Sequence, residues 1–268
     1  MAGIAQSLTR RLGGAAQVAA TVVAFLLLWE IAARVFGLPS YILPSPTEIF
    51  SELATRRAQY WNAAIFTLQP MLIGFAFAVV IGVALALLVA FSRPMEKTVY
   101  PMLVFFQIVP KIAVAPLFII WFGFGLTPKV LLVFLLSFFP VVVSAITAFR
   151  SVDADIMDLA RSTGAGRWRT FVRVQIPHAL PTLFTGIKVA AALSATAAVV
   201  AEFVASDRGL GYLLLEANGN LNTSMAFGSV FVLTALGFAL YAAVELAEQI
   251  LIPWHVSQRS QADVGGPI

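Results

Sequence analysis

Six long apolar stretches dominate the chain, each bounded by polar, proline-rich or glycine-rich segments. They cover roughly residues 17–36, 63–91, 98–123, 129–149, 181–204 and 225–251. A helix crosses the hydrocarbon core with about 20 predominantly apolar residues, whereas a barrel strand needs only about 9–11. None of the stretches alternates as barrel strands do. The pattern therefore predicts an all-α membrane protein of six transmembrane helices.

Composition strengthens that reading. Hydrophobic residues make up 60% of the 268 positions and charged ones 11%, with a mean hydropathy of +0.92. A soluble domain carries about 25% charged residues, and a body of this length needs a polar skin. A water-soluble enzyme, a secreted disulfide scaffold and a disordered chain are excluded. Cysteine is absent, so there are no disulfides or thiolate metal sites. Arg10 and Arg11 precede the first apolar run as in a signal peptide, but the run continues into Trp29–Phe36 with no clear small-residue cleavage site, so it is expected to stay as a span.

The balance of 17 basic against 13 acidic residues carries orientation rather than nucleic-acid binding, because no basic and aromatic residues interleave on a polar face. With the amino terminus inside, ten Lys and Arg fall in inner segments and five in outer ones. This excess places both termini in the cytoplasm. The expected organisation is a cytoplasmic tail over 1–16, a transmembrane domain over 17–252 and a second tail over 253–268. In the first outer loop, Ser45, Pro46 and Glu48 have the spacing of a capping box with proline at the first helical position, predicting a short helix that reaches about Tyr60.

The inner segment over 150–180 holds eight of the 30 charged residues. Asp153 can cap a helix, with Asp155 and Asp158 toward its positive end. Ile156, Leu159 and Ala160 form an apolar strip, Gly164 ends the helix, and Pro177 and Pro181 mark the entry into the fifth span. Its acidic first turn argues against docking on anionic lipid. The small residues Ala160, Gly164 and Ala165 admit the close approach of another protein, and a purely structural link is the alternative.

Asp158, Leu159 and Ala160, then Gly164 four residues after Ala160, then Val174, Ile176 and Pro177 resemble the cytoplasmic EAA signature of ABC importer permeases. Asp stands for Glu, Leu for the first Ala, Val for Ile and Ile for Leu. The segments LPSP from Leu43, PKIAVAPLFIIWFGFG from Pro110 and AEFVASDRGLGYLL from Ala201 resemble the nitrate/sulfonate/taurine group of these permeases. The resemblance covers roughly 20–255. It implies a type I importer core in a bacterial inner membrane. Two permease copies pair, two ATP-binding subunits sit beneath, and a periplasmic or lipid-anchored binding protein delivers the solute. It also implies that the helix from Asp155 to Arg167 is the coupling helix, seated on the ATPase. No phosphate-binding loop occurs in this chain, so ATP and Mg are expected on the partner and no cofactor here.

Within the spans, Pro101, Pro110 and Pro116 interrupt the third stretch, with Gln107 and Lys111 near its middle. An ionisable residue at that depth faces protein or water, and broken helices are tolerated where they line a cavity. Gln107, Pro110, Lys111 and Pro116 are therefore path candidates, against a structural pairing or snorkelling of Lys111. Lys111 suits an anion, but sulfonate members of the group usually carry an uncharged residue there, which keeps a thiamine-precursor pyrimidine open. Gly186, Ala190, Ser194 and Ala198 recur every four residues in span five as a packing row. Ser194 and Glu202 complete the path candidates, Glu202 as an outer gate or as a solvated group. Lys188 is expected to snorkel inward, and Glu245 and Glu248 to lie near the cytoplasm. A secondary transporter or channel is the alternative function. An intramembrane enzyme is disfavoured, because His178 and His255 lie at cytoplasmic edges and no H-E-x-x-H occurs.

Overall fold

The computed structural model describes residues 2–37 and 39–254, with side chains from residue 17 onward apart from 18, 93, 96, 154, 161 and 205. The C-terminal tail expected over 253–268 lies almost wholly outside the described residues, with His255 and Arg259. Among the described residues the chain is helical, with no strand. Its helices are α1 (Ala2–Val35), α2 (Pro46–Thr55), α3 (Arg57–Phe91), α4 (Arg93–Ile108), α5 (Ala115–Phe122), α6 (Leu126–Arg150), α7 (Ala154–Ser162), α8 (Arg167–Thr170), α9 (Ile176–Ala205), α10 (Leu210–Gly219) and α11 (Thr223–Leu251).

Four helical segments among the described residues are long and apolar enough to cross a membrane: Arg57–Phe91, Leu126–Arg150, Arg167–Val204 and Thr223–Leu251. A fifth candidate is the bent pair Lys97–Ile108 and Lys111–Phe122. The third apolar stretch is thus no straight span: it turns by 81°. Pro110 sits at the break before a 3-10 turn, Lys111–Val114, and Pro116 follows in the first turn of α5. Neither proline has an N–H for the helical ladder, so the backbone leaves it there. The first stretch lies inside α1 and is not among these candidates.

The chain forms two compact units. One takes residues 1–61 and 213–231. In it, the Glu30 carboxylate accepts the Thr47 N–H at 3.1 Å and hydroxyl at 2.8 Å, fastening the end of α1 to the start of α2. The expected capping box is present, with Glu48 N–H on Ser45 Oγ at 3.3 Å and Ser45 N–H on Glu48 Oε2 at 3.1 Å. The helix it opens ends at Thr55, short of Tyr60. The Tyr60 hydroxyl instead donates to the Met225 carbonyl at 3.2 Å.

The other unit takes residues 62–212 and 232–268, and its centre is the packing of α6 on α9. Ala190, Ser194 and Ala198 are all fully buried. At Gly186 an added Cβ would collide with the Ser144 side chain and come within 2.8 Å of the Pro140 carbonyl. Ser137 Oγ donates across the seam to the Ala190 carbonyl at 3.3 Å. Lipid supplies no hydrophobic drive between helices, so such close backbone approach is what holds them. The small-residue row is a packing face. Within the candidate spans, 61% of the α8–α9 window is buried but only 11% of that of α11.

The segment before α9 departs from expectation. Pro177 and Pro181 do not mark the helix entry, because α8, a π-helical turn (Phe171–Gln175) and α9 run on without a break from Arg167. In the π turn the Ile176 N–H reaches back to the Phe171 carbonyl, just where Pro177 brings no donor to the Arg173 carbonyl. The extra residue per turn absorbs the proline within the helix. Between α9 and α11 the chain forms a further short helix, α10.

Candidate functional site

The segment over 150–180 is built from two helices joined at a glycine turn. Asp153 Oδ1 accepts the Asp155 N–H at 2.9 Å, so the expected cap opens α7. The helix closes at Ser162, before Arg167, by a Schellman turn: the Ala165 N–H meets the Ala160 carbonyl at 3.3 Å around Gly164 at φ +74°. A Cβ at Gly164 would touch nothing within 4 Å, so the backbone angle, not space, requires glycine there. Arg167 then begins α8, Val174 lies in the π turn, and Ile176 and Pro177 open α9.

Internal contacts fix this segment. Phe171 is buried against Phe91 and Phe149, with ring centroids 4.4 and 5.9 Å away. The Gln175 amide donates to Met157 Sδ at 3.6 Å, and His178 Nε2 lies 3.3 Å from the Ser151 carbonyl. Large apolar side chains are left outside: Leu159 is 67% exposed and Trp168 70%, with Ile156 also exposed. The strip predicted from the sequence faces away from the molecule, with Asp155, Asp158 and Arg167 exposed around it and Ala160 and Ala165 half-buried. Such a polar-rimmed apolar patch marks a contact surface.

The path candidates separate into two groups. Gln107, Pro110, Lys111 and Pro116 gather at the elbow between α4 and α5, where Lys111 Nζ donates to the Gln107 carbonyl at 2.8 Å. The same ammonium lies 4.6 Å from the centroid of the Phe139 ring, a cation–π placement. Ser194 and Glu202 lie elsewhere. Ser194 Oγ is buried and bonds the Ala191 carbonyl at 2.7 Å.

Glu202 is not solvated: it is 1% exposed, with Oε2 on the Gly211 N–H at 2.6 Å at the start of α10. The neighbouring Leu210 N–H is taken by Thr67 Oγ1 at 2.8 Å. Beside it, Lys129 Nζ donates to Ser206 Oγ at 2.6 Å, and Arg208 pairs with Asp207 at 3.0 and 3.1 Å. The Arg208 guanidinium holds the Asp207 carboxyl below its ordinary range. Lys188 does not snorkel. It forms an ion pair with Glu248, both side chains nearly buried, with its ammonium 5.9 Å from the Tyr241 ring centroid.

Residues 78–255 match the family described as binding-protein-dependent transport system inner membrane component. The chain belongs to this family. It is 34% identical to the formylaminopyrimidine transport permease protein of Halalkalibacterium halodurans over 87% of this chain and 93% of that one. It is 36% identical to the riboflavin transport system permease protein of Chloroflexus aurantiacus over 88% of this chain and 89% of that one. It is 28% identical to the taurine transport system permease protein of Escherichia coli over 88% of both chains. The fold is that of the inward-facing MetNI methionine ABC transporter, with a TM-score of 0.61 and 17% identity over 72% of this chain and 96% of that one. The chain is thus a membrane permease subunit of an ABC importer, of the nitrate/sulfonate/taurine group.

Sequence reasoning names Glu245 and Glu248 but misses the set they form with Thr234 and Tyr241 on the permease's last helix. Thr234, Tyr241, Glu245 and Glu248 recur at intervals of seven, four and three residues, which places them on one face of α11. That periodicity is the available signal, hidden because Glu245 and Glu248 each read singly as span-end groups and Thr234 and Tyr241 as ordinary span residues.

Proposed function

We propose that two copies of this permease, each with six spans and both termini in the cytoplasm of a bacterium, enclose the translocation path of a small organic solute. A separate pair of ATP-binding subunits, which hold ATP and Mg, drives them through the 150–180 segment. A periplasmic or lipid-anchored binding protein supplies the solute. Asp155, Asp158, Leu159, Ala160, Gly164, Ala165, Arg167, Val174, Ile176 and Pro177 make up the coupling segment, and Gln107, Lys111 and the prolines at the elbow line part of the path. The observation that carries this reading is the outward apolar strip of Ile156, Leu159 and Trp168 on a segment tied back to the molecule through Gln175 and His178.

Burying one such side chain is worth about 1.5–3 kcal/mol, or more than tenfold in affinity. In the assembled transporter, Leu159→Asp with Trp168→Ala is expected to weaken retention of the ATPase at least tenfold and to abolish ATP-driven uptake in proteoliposomes. Full retention and uptake in that variant would overturn the docking role.

A further inference from the structure

The stretch from α8 into the π turn carries two arginines that the docking reading leaves unused. Arg169 and Arg173 are both exposed, and among the described residues neither guanidinium meets a hydrogen-bond partner or a carboxylate. Each stands two residues from Phe171, one on either side, and so about half a turn round the helix from it. Phe171 is buried, its ring centroid 4.4 Å from that of Phe91 and 5.9 Å from that of Phe149. Phe91 is the last residue of α3 and Phe149 the last but one of α6, where two apolar spans give way to Ser92 and Arg150. Phe171 therefore marks the depth at which the hydrocarbon ends. At 1.5 Å per residue the two arginines sit about 3 Å to either side of that level, within a headgroup layer about 5–7 Å deep. Because Phe171 packs inward on α3 and α6, they point outward from the flank of a helix that continues into a span.

Charge and geometry select the ligand. Side chains four residues apart are neighbours on one helix face, and each guanidinium offers phosphate two parallel N–H donors. Every cation held at an anionic leaflet raises association about fivefold. The acidic turn that argues against lipid lies on another element: Asp153 and Asp155 open α7, on the far side of the Gly164 turn. Trp168, part of the strip assigned to the ATPase, is turned about 100° from Arg169. An orientation signal requires only that basic residues fall in a cytoplasmic segment. Here a buried ring sets two of them on one face at headgroup depth. We propose that Arg169 and Arg173 clamp the phosphate of an anionic phospholipid in the cytoplasmic leaflet, tying the 150–180 segment to the bilayer. The proposal rests on the reading of this segment as cytoplasmic, and it adds a ligand and its site.

The chain has no cysteine, so Val172→Cys, at an exposed position between the two arginines, gives this subunit a single thiol for a bimane label. The label is read in vesicles holding the whole transporter, with partner subunits free of cysteine. Phosphatidylglycerol with a doxyl group on its acyl chain is expected to quench it at least fivefold more strongly than doxyl phosphatidylcholine at equal content. Arg169→Gln with Arg173→Gln should bring the two quenchers within twofold of each other. Arg169→Lys with Arg173→Lys should keep part of the preference, and both variants should retain the ATPase fully. Quenching by neither lipid, equal quenching by both, or a preference that survives the glutamines would overturn the proposal. Loss of the ATPase in the glutamine variant would give the arginines to that partner. A preference erased by millimolar glycerol phosphate would give them to a free phosphate, and either result removes the lipid site. If an impermeant methanethiosulfonate reaches the Val172→Cys thiol from outside sealed right-side-out vesicles, the cytoplasmic reading fails. The quenching ratio still reads the lipid preference by itself, which keeps the two failures distinct.

Discussion

A carboxylate at the end of a membrane helix must reach water or find N–H donors, because a bare buried charge is prohibitive. Glu202 takes the second course. It is held at the amino end of α10, on the Gly211 N–H, where the helix dipole also favours negative charge. Gly211 makes the approach possible, since a Cβ there would stand 2.8 Å from the Glu202 Cβ. Glu202→Ala leaves that donor buried and unpaired, a loss of about 1–3 kcal/mol. At about 2–4 °C per kcal/mol for a chain of this size, the unfolding midpoint in detergent should fall by several degrees. Glu202→Gln, which keeps an acceptor, should fall less, and Gly211→Ala should behave like the alanine variant. A midpoint for Glu202→Ala within a degree of the parent would remove the capping role. The sequence shows Glu202 and two glycines beyond it, but nothing local tells that the glycines fold back onto the carboxylate. A gate and a solvated group were therefore equally legible.

At the scale of helices, the apolar runs were legible because burial in lipid writes itself as length and composition. The capping box at Ser45 and the glycine stop at Gly164 were legible because each depends on residues three to five apart. Two features were not. The start of the fifth span was read at Pro181, whereas the π turn at Phe171–Gln175 lets the helix run through Pro177. The pairing of Lys188 with Glu248 joins residues 60 apart in the chain, so Lys188 alone reads as a snorkelling cation. That pair makes a measurable claim about α9 and α11. Removing one partner of a buried pair costs about 3–5 kcal/mol, while replacing both by apolar groups is often neutral. Lys188→Met and Glu248→Met should each lower the thermal midpoint sharply, and the double variant should recover most of the loss. Additive losses in the double variant would show that the ions act independently.

Across the whole permease, one uninterrupted helical course runs from Arg167 to Ala205. Its first residues belong to the segment proposed to dock the ATPase, and Thr196 lines a cavity between α9 and α11. Any motion imposed at α7 and α8 therefore has a stiff route to the cavity wall, with the π turn as the one irregular step between them. Two sites joined by such an element are coupled to the extent that each ligand prefers one arrangement, and the coupling is reciprocal in binding free energy. A coupling of 1–3 kcal/mol, common in allosteric proteins, is about 5–150-fold. In the full transporter, switching the ATPase from nucleotide-free to ATP-bound should change at least fivefold the rate at which a membrane-impermeant methanethiosulfonate modifies the thiol of Thr234→Cys, a position that lines this cavity. Gly164→Val, which places a β-branched residue at φ +74° and so disrupts the Schellman turn, should flatten that response while leaving the nucleotide-free rate unchanged. A cavity thiol indifferent to nucleotide in the parent transporter would show that the helix does not transmit the drive. A response that survives intact in Gly164→Val would place the transmission outside the coupling segment.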